Sequence, residues 1–157
     1  MASSRQMALG LAWVSLVAGC GSGGDPKPKA GASSPLAHAE RSLQAELEAA
    51  AEHLGMTPAP GERVAPTRCG DRPAGDVTSG YRLRMKLGDA DAERLLKRAE
   101  GFWRERGREV RVVGPKGPFP AVFATADPGW TFSLQLFPER GEALLSGGTP
   151  CLPDPRA

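Results

Sequence analysis

Two spacings of apolar residues organise the chain. Leu36, Leu43, Leu47, Ala50 and Leu54 recur at helical spacing and form one stripe, with Glu40, Glu46, Glu48 and Glu52 on the other side. Ser34 suits an N-cap, Pro35 the first helical position and Gly55 the residue past the last turn, so a helix is predicted over residues 35–54. The stripe is too short for a coiled coil and is expected to pack on its own domain. Residues 81–87 instead alternate strictly. Tyr81, Leu83, Met85 and Leu87 point one way, and Arg82, Arg84 and Lys86 the other, as in a strand with one buried and one wet face. Helical spacing returns with Ala92, Leu95, Leu96, Ala99, Phe102 and Trp103. This predicts a second helix over about residues 90–106, capped by Asp89 and stopped by Gly107.

The remainder alternates in short pieces. Residues 109–113 read as a strand with Val110 and Val112 inward, and residues 121–126 as another after a proline-rich loop. Asp127-Pro128-Gly129 reads as a turn with proline second and glycine supplying positive φ. Trp130, Phe132, Leu134 and Leu136 then alternate with Thr131, Ser133 and Gln135, and residues 142–146 form a last short strand. Short connections make the later strands antiparallel neighbours. The expected fold is α+β: a two-layer sandwich, with two helices on one face of a mostly antiparallel four- or five-stranded sheet. A β-α-β unit leaves two placements open for the strand at 81–87. Residues 55–80, rich in proline and glycine, are expected to form a long irregular connection. The domain is expected over residues 35–151, with 152–157 a disordered tail.

Upstream of the first helix the pattern changes. A short apolar run from Met7 ends in Leu16-Val17-Ala18-Gly19-Cys20, which reads as a lipobox after a secretory signal peptide. Residues 1–19 would be removed and Cys20 lipidated. No twin-arginine pair is present, which favours the general secretion route. Residues 20–34 then form a lipidated cysteine and a flexible Gly/Ser/Pro tether, with an r.m.s. reach of about 20 Å. The alternative is ordinary cleavage near Gly19, leaving a free thiol. The expected location is the extracytoplasmic face of the bacterial cell membrane, held by lipid.

The chain has 157 residues and three cysteines, at 20, 69 and 151. An odd count in an exported protein usually flags an unpaired thiol. Lipid on Cys20 leaves Cys69 and Cys151 to pair in a compartment that permits disulfides. The net charge of +2 is too mild to suggest a nucleic-acid partner.

The sequence carries few chemistry-bearing patterns. His38 and His53 lie fifteen residues apart on the first helix with no nearby cysteine, so no metal site is assigned. No G-x-S-x-G or phosphate-loop motif is present, and no cofactor is implied. Asp71, Asp76, Asp89 and Asp127 read as loop, cap or turn residues. One surface feature remains: from Arg82 to Arg111 cations outnumber anions ten to six. If both helices cover one sheet face, the other shows Arg82, Arg84, Lys86 and Arg111 beside Thr131, Ser133 and Gln135. That is a candidate basic binding face for an acidic protein, a cell-wall polymer or lipid head groups. The bland alternative is a solvated face whose charges prevent aggregation.

Several features together resemble small actinobacterial lipoproteins: the lipobox Val17-Ala18-Gly19-Cys20, the Gly-Ser tether, and a helix before a Cys-bearing loop. They continue with a strand opening at Gly80-Tyr81, a helix carrying Trp103, an Asp-Pro-Gly turn before an aromatic strand, and a closing Gly148-Thr149-Pro150-Cys151. The resemblance implies an address and a fold class and carries over no catalytic residue. The expected function is a membrane-anchored, non-catalytic binding or accessory module at the cell envelope. The alternative is an envelope hydrolase with a carboxylate-based site.

Overall fold

A computed structural model describes residues 33–70 and 75–156. The expected signal peptide and lipobox with Cys20, the expected tether up to Ala32, and Asp71 lie outside the described residues. The first helix, α1 (Pro35–Leu54), has the expected bounds. The Ser34 hydroxyl accepts from the Ala37 amide, and Gly55 closes the helix in the left-handed conformation at φ 70°.

The segment expected to be irregular holds ordered structure. It contains β1 (Glu62–Arg68) and the first half of β2 (Asp76–Lys86). β1 is an edge strand that pairs with β2 through its main chain, so it needs no apolar alternation. Only Val64 and Pro66 are half-buried. Pro66 sits where the register shifts between Val64 and Thr67, a position that tolerates the missing amide hydrogen.

α2 (Ala92–Glu105) starts later than expected. Its cap is Asp91 rather than Asp89: the Asp91 carboxylate accepts from the Glu93 and Arg94 amides. Gly88, at φ 55°, takes up the preceding turn and leaves Asp89 exposed. The remaining strands are β3 (Glu109–Val113), β4 (Ala121–Ala126), β5 (Trp130–Phe137), β6 (Glu142–Gly148) and β7 (Leu152–Pro153), with a short 3-10 turn at Pro138–Arg140. In the turn between β4 and β5 the Asp127–Pro128 peptide is cis.

The architecture is α+β with an open antiparallel sheet, carrying more strands than expected. The order is β1-β2-β6-β5-β4-β3, with β7 also paired to β2. The chain crosses from β2 to the far edge through α2 and returns as a β3-β4-β5-β6 meander. This settles the open placement: β2 lies inside the sheet, with Gly80 to Lys86 paired to Gly148 to Glu142 of β6.

Both helices cover one face. Trp103, Leu47, Val122, Leu134, Leu136 and Leu145 are fully buried there. A Cβ on Gly147 would stand 2.7 Å from Leu43 Cδ1, so this glycine lets α1 lie directly on β6.

The tail is also partly ordered. Leu152 and Pro153 pair with Val77 and Asp76, and the Asp154 amide donates to the Gly75 carbonyl. The Arg156 guanidinium hydrogen-bonds the Asp154 carboxyl and holds it below the usual carboxylate range. Between β6 and β7 the strand pattern is replaced by a side chain. The buried Thr149 hydroxyl accepts from the Ser79 amide, and the Thr149 amide donates to the Ser79 carbonyl. Cys69 and Cys151 form a disulfide with Cα atoms 6.1 Å apart. It joins the end of β1 to the segment entering β7, and both of those strands pair with the start of β2.

Candidate functional site

Strand register sets out the uncovered sheet face in rows. One row runs Glu62, Arg82, Ser146, Ser133, Phe123, Arg111 across six strands. The next runs Arg84, Leu144, Gln135, Ala121, Val113. A third carries Lys86, Glu142 and Phe137. Arg82, Arg84 and Lys86 share the outer side of β2 because strand side chains alternate, and all three are exposed.

Arg111 is exposed on the same face but does not join them. It lies four strand spacings from Arg82, about 19 Å. The crossover through α2 places β3 at the opposite edge, so the four expected basic residues form a row of three and a distant single.

The centre of the face is less polar than expected. Leu144 and Phe123 are half-buried there, and Ser133 is buried, its hydroxyl 2.8 Å from that of Ser146. Gly148 keeps a groove of about 320 Å³ open beside Arg82, Thr131 and Ser146. A Cβ on Gly148 would come within 3.0 Å of the Thr131 hydroxyl.

The charge is also moderated. Glu62 stands opposite Arg82 and Glu142 opposite Lys86, while Arg84 faces Leu144. The Arg111 guanidinium lies 5.4 Å from the Phe123 ring centre, within cation–π range. The signals for the apolar centre were the outward positions of β4 and β6. They could be placed on this face only once the strand order was known.

At the far end of the face, Phe119 is 64% exposed and meets Phe137 edge-on at 6.2 Å. Its neighbours Pro118 and Pro120 stiffen the loop that presents it.

A second polar cluster, unforeseen from the sequence, lies between the helices. Glu46 of α1 reaches the Arg108 guanidinium at 3.6 Å and that of Arg106 at 4.0 Å. Arg106 in turn stacks on the Phe102 ring, 3.5 Å from its centre. Glu46 Oε1, Arg108 Nε and Trp103 Nε1 are buried without a hydrogen-bond partner among the described residues. The cluster packs α1 against the end of α2 and presents no nucleophile.

The other residues considered for chemistry stay apart. His38 and His53 are exposed, and the His53 ring lies 5.1 Å from that of Phe102. Asp76 opens β2 at one end of the sheet, whereas Asp89 follows β2 at the other. Among the described residues no group of three or more His, Cys, Asp or Glu is arranged to hold a metal ion. No described helix is long and apolar enough to cross a membrane. Comparison with protein-family models, curated proteins and solved structures finds no match to this chain.

Proposed function

We propose that the chain is an exported lipoprotein, cut before Cys20 and held by lipid on the outer side of the cytoplasmic membrane. Its folded domain would serve as a non-catalytic binding module at the cell envelope. The observation that carries this is the Cys69–Cys151 disulfide. A disulfide is consistent with an oxidising, extracytoplasmic compartment. It also uses two of the three cysteines and leaves Cys20, at the end of the lipobox pattern, as the one available for acylation.

Docking of an acidic partner is supported by the exposed row Arg82, Arg84 and Lys86 on a sheet face that neither helix covers. Glu62 and Glu142 on the same rows limit the attraction, so the surface suits a partner that also meets the apolar centre.

Metabolic labelling with an alkyne fatty acid tests the anchor. The wild type is expected to carry label and Cys20→Ala to carry none. Equal labelling of both would remove the anchor. Crosslinking in cells tests the face: an Arg82/Arg84/Lys86→Gln triple variant is expected to lose captured partners. An unchanged partner set returns the row to a solvated surface.

A further inference from the structure

A cleft lies at the end of α1, away from the disulfide. After Gly55 the chain crosses the end of β2, where the Ala59 amide donates to the Arg84 carbonyl at 2.8 Å and Pro58 bridges to Met85. Regular pairing with β1 begins only at Glu62 and Arg82. A cleft of about 620 Å³ therefore opens between the end of α1, this crossing segment, the end of β2 and the start of α2.

Its size falls in the range of small-molecule sites, about 300–1,000 Å³. Its walls come from the core: Leu54, Met85, Leu87 and Leu95 are buried, and Met56 is half-buried beside them. Two methionines make an apolar lining that adapts to flexible chains. Arg84, Lys86 and Glu142 stand along its rim, the two cations leaving β2 on its outer side at the edge that β1 does not pair beyond Arg82. Among the described residues neither cation makes an ion pair within 4 Å; the ion pairs all involve other residues.

An apolar trough with surplus positive charge at its mouth fits one ligand class. A small free anion leaves the trough wet, and a neutral hydrocarbon gains nothing from the two exposed cations at its mouth. We propose that this cleft binds a single-chain anionic amphiphile. The alkyl chain lies against Leu54, Met56, Met85 and Leu95, and the carboxylate or phosphate head meets Arg84 and Lys86. The site does not depend on the anchor, and it rests on the binding-module reading only through those two shared cations.

The test uses purified full-length Cys20→Ala protein, so that no lipid of its own competes. Dodecyl phosphate, kept below its micelle concentration, is titrated by calorimetry and followed through the Met56 and Met85 methyl NMR signals. Saturable one-to-one binding that shifts both methyls is expected. Inorganic phosphate and dodecyltrimethylammonium should bind at least about tenfold more weakly, the scale of one charge-assisted contact. Arg84→Gln with Lys86→Gln should cost a similar factor, and Ala90→Trp, which fills the cleft, should cost more. Arg82→Gln, in the docking row but outside the cleft, should change nothing. Loss of partner docking with intact amphiphile binding would thus separate the two proposals. Absence of saturable binding overturns the site. So do equal affinity for the cationic amphiphile, or methyl shifts confined to other residues. The methyl readout stands even if Ala90→Trp fails to fold.

Discussion

Replacing Cys69 and Cys151 together by serine is expected to lower the unfolding free energy by about 4 to 5 kcal/mol. That figure is the loop-closure entropy of a bridge between residues 82 apart. It is a large part of the ~5–15 kcal/mol that stabilises an ordinary domain. Urea denaturation of the double variant, or of the reduced wild type, measures it through the midpoint at constant slope. A loss below about 1 kcal/mol would mean that the bridge constrains little. The damage should also be local at first. β1 has no buried apolar face and β7 has two residues, so both depend on being pinned beside β2. Hydrogen exchange should accelerate at Val64, Thr67 and Val77 well before β5 and β6 lose protection.

Trp103→Ala should cost about 3 to 5 kcal/mol, the usual range for deleting a fully buried tryptophan. The indole is 0% exposed and lies among Phe102, 6.2 Å away edge-on, and Phe132, 6.3 Å away. The more telling substitution is Trp103→Phe. It leaves a smaller cavity, but it also removes a buried N–H with no acceptor among the described residues. An unpaired buried donor costs about 1–3 kcal/mol, so the two effects oppose each other. Trp103→Phe is expected to cost no more than about 1 kcal/mol. Chemical denaturation of the pair checks this, and a Phe variant as unstable as the Ala variant would show that the indole N–H has a partner after all.

What could be read ahead of the structure followed from how strongly each residue punctuates the chain. Ser34, Pro35 and Gly55 each have one physical use at a helix end, and α1 has the bounds they imply. The alternation at 81–87 and 130–136 identified the second half of β2 and nearly all of β5, because the residues between the apolar positions are charged or polar. β1 escaped because an edge strand is held by main-chain hydrogen bonds, here to the next strand β2, and these leave no mark on residue type. Asp89 reads as the cap of α2, but the left-handed Gly88 takes up the turn before it and the helix is capped two residues later by Asp91. The basic face was half legible. The side of β2 on which Arg82, Arg84 and Lys86 project follows from period two alone. Their distance from Arg111, and the Phe123 and Leu144 between, follow from a strand order that no local pattern encodes.

The pairing of β2 with β6 has a consequence for how the protein is made. Gly80 pairs with Gly148, and the disulfide waits on Cys151. The strand inside the sheet therefore has no permanent partner on that side until the chain has been synthesised as far as β6. Contacts this distant in sequence are slow to form, because the intervening loop must close first. On the export route proposed above, that delay would be useful: an emerging chain that cannot complete its sheet stays threadable, and it would lock only after β6 and Cys151 have crossed into the compartment where the thiols can oxidise.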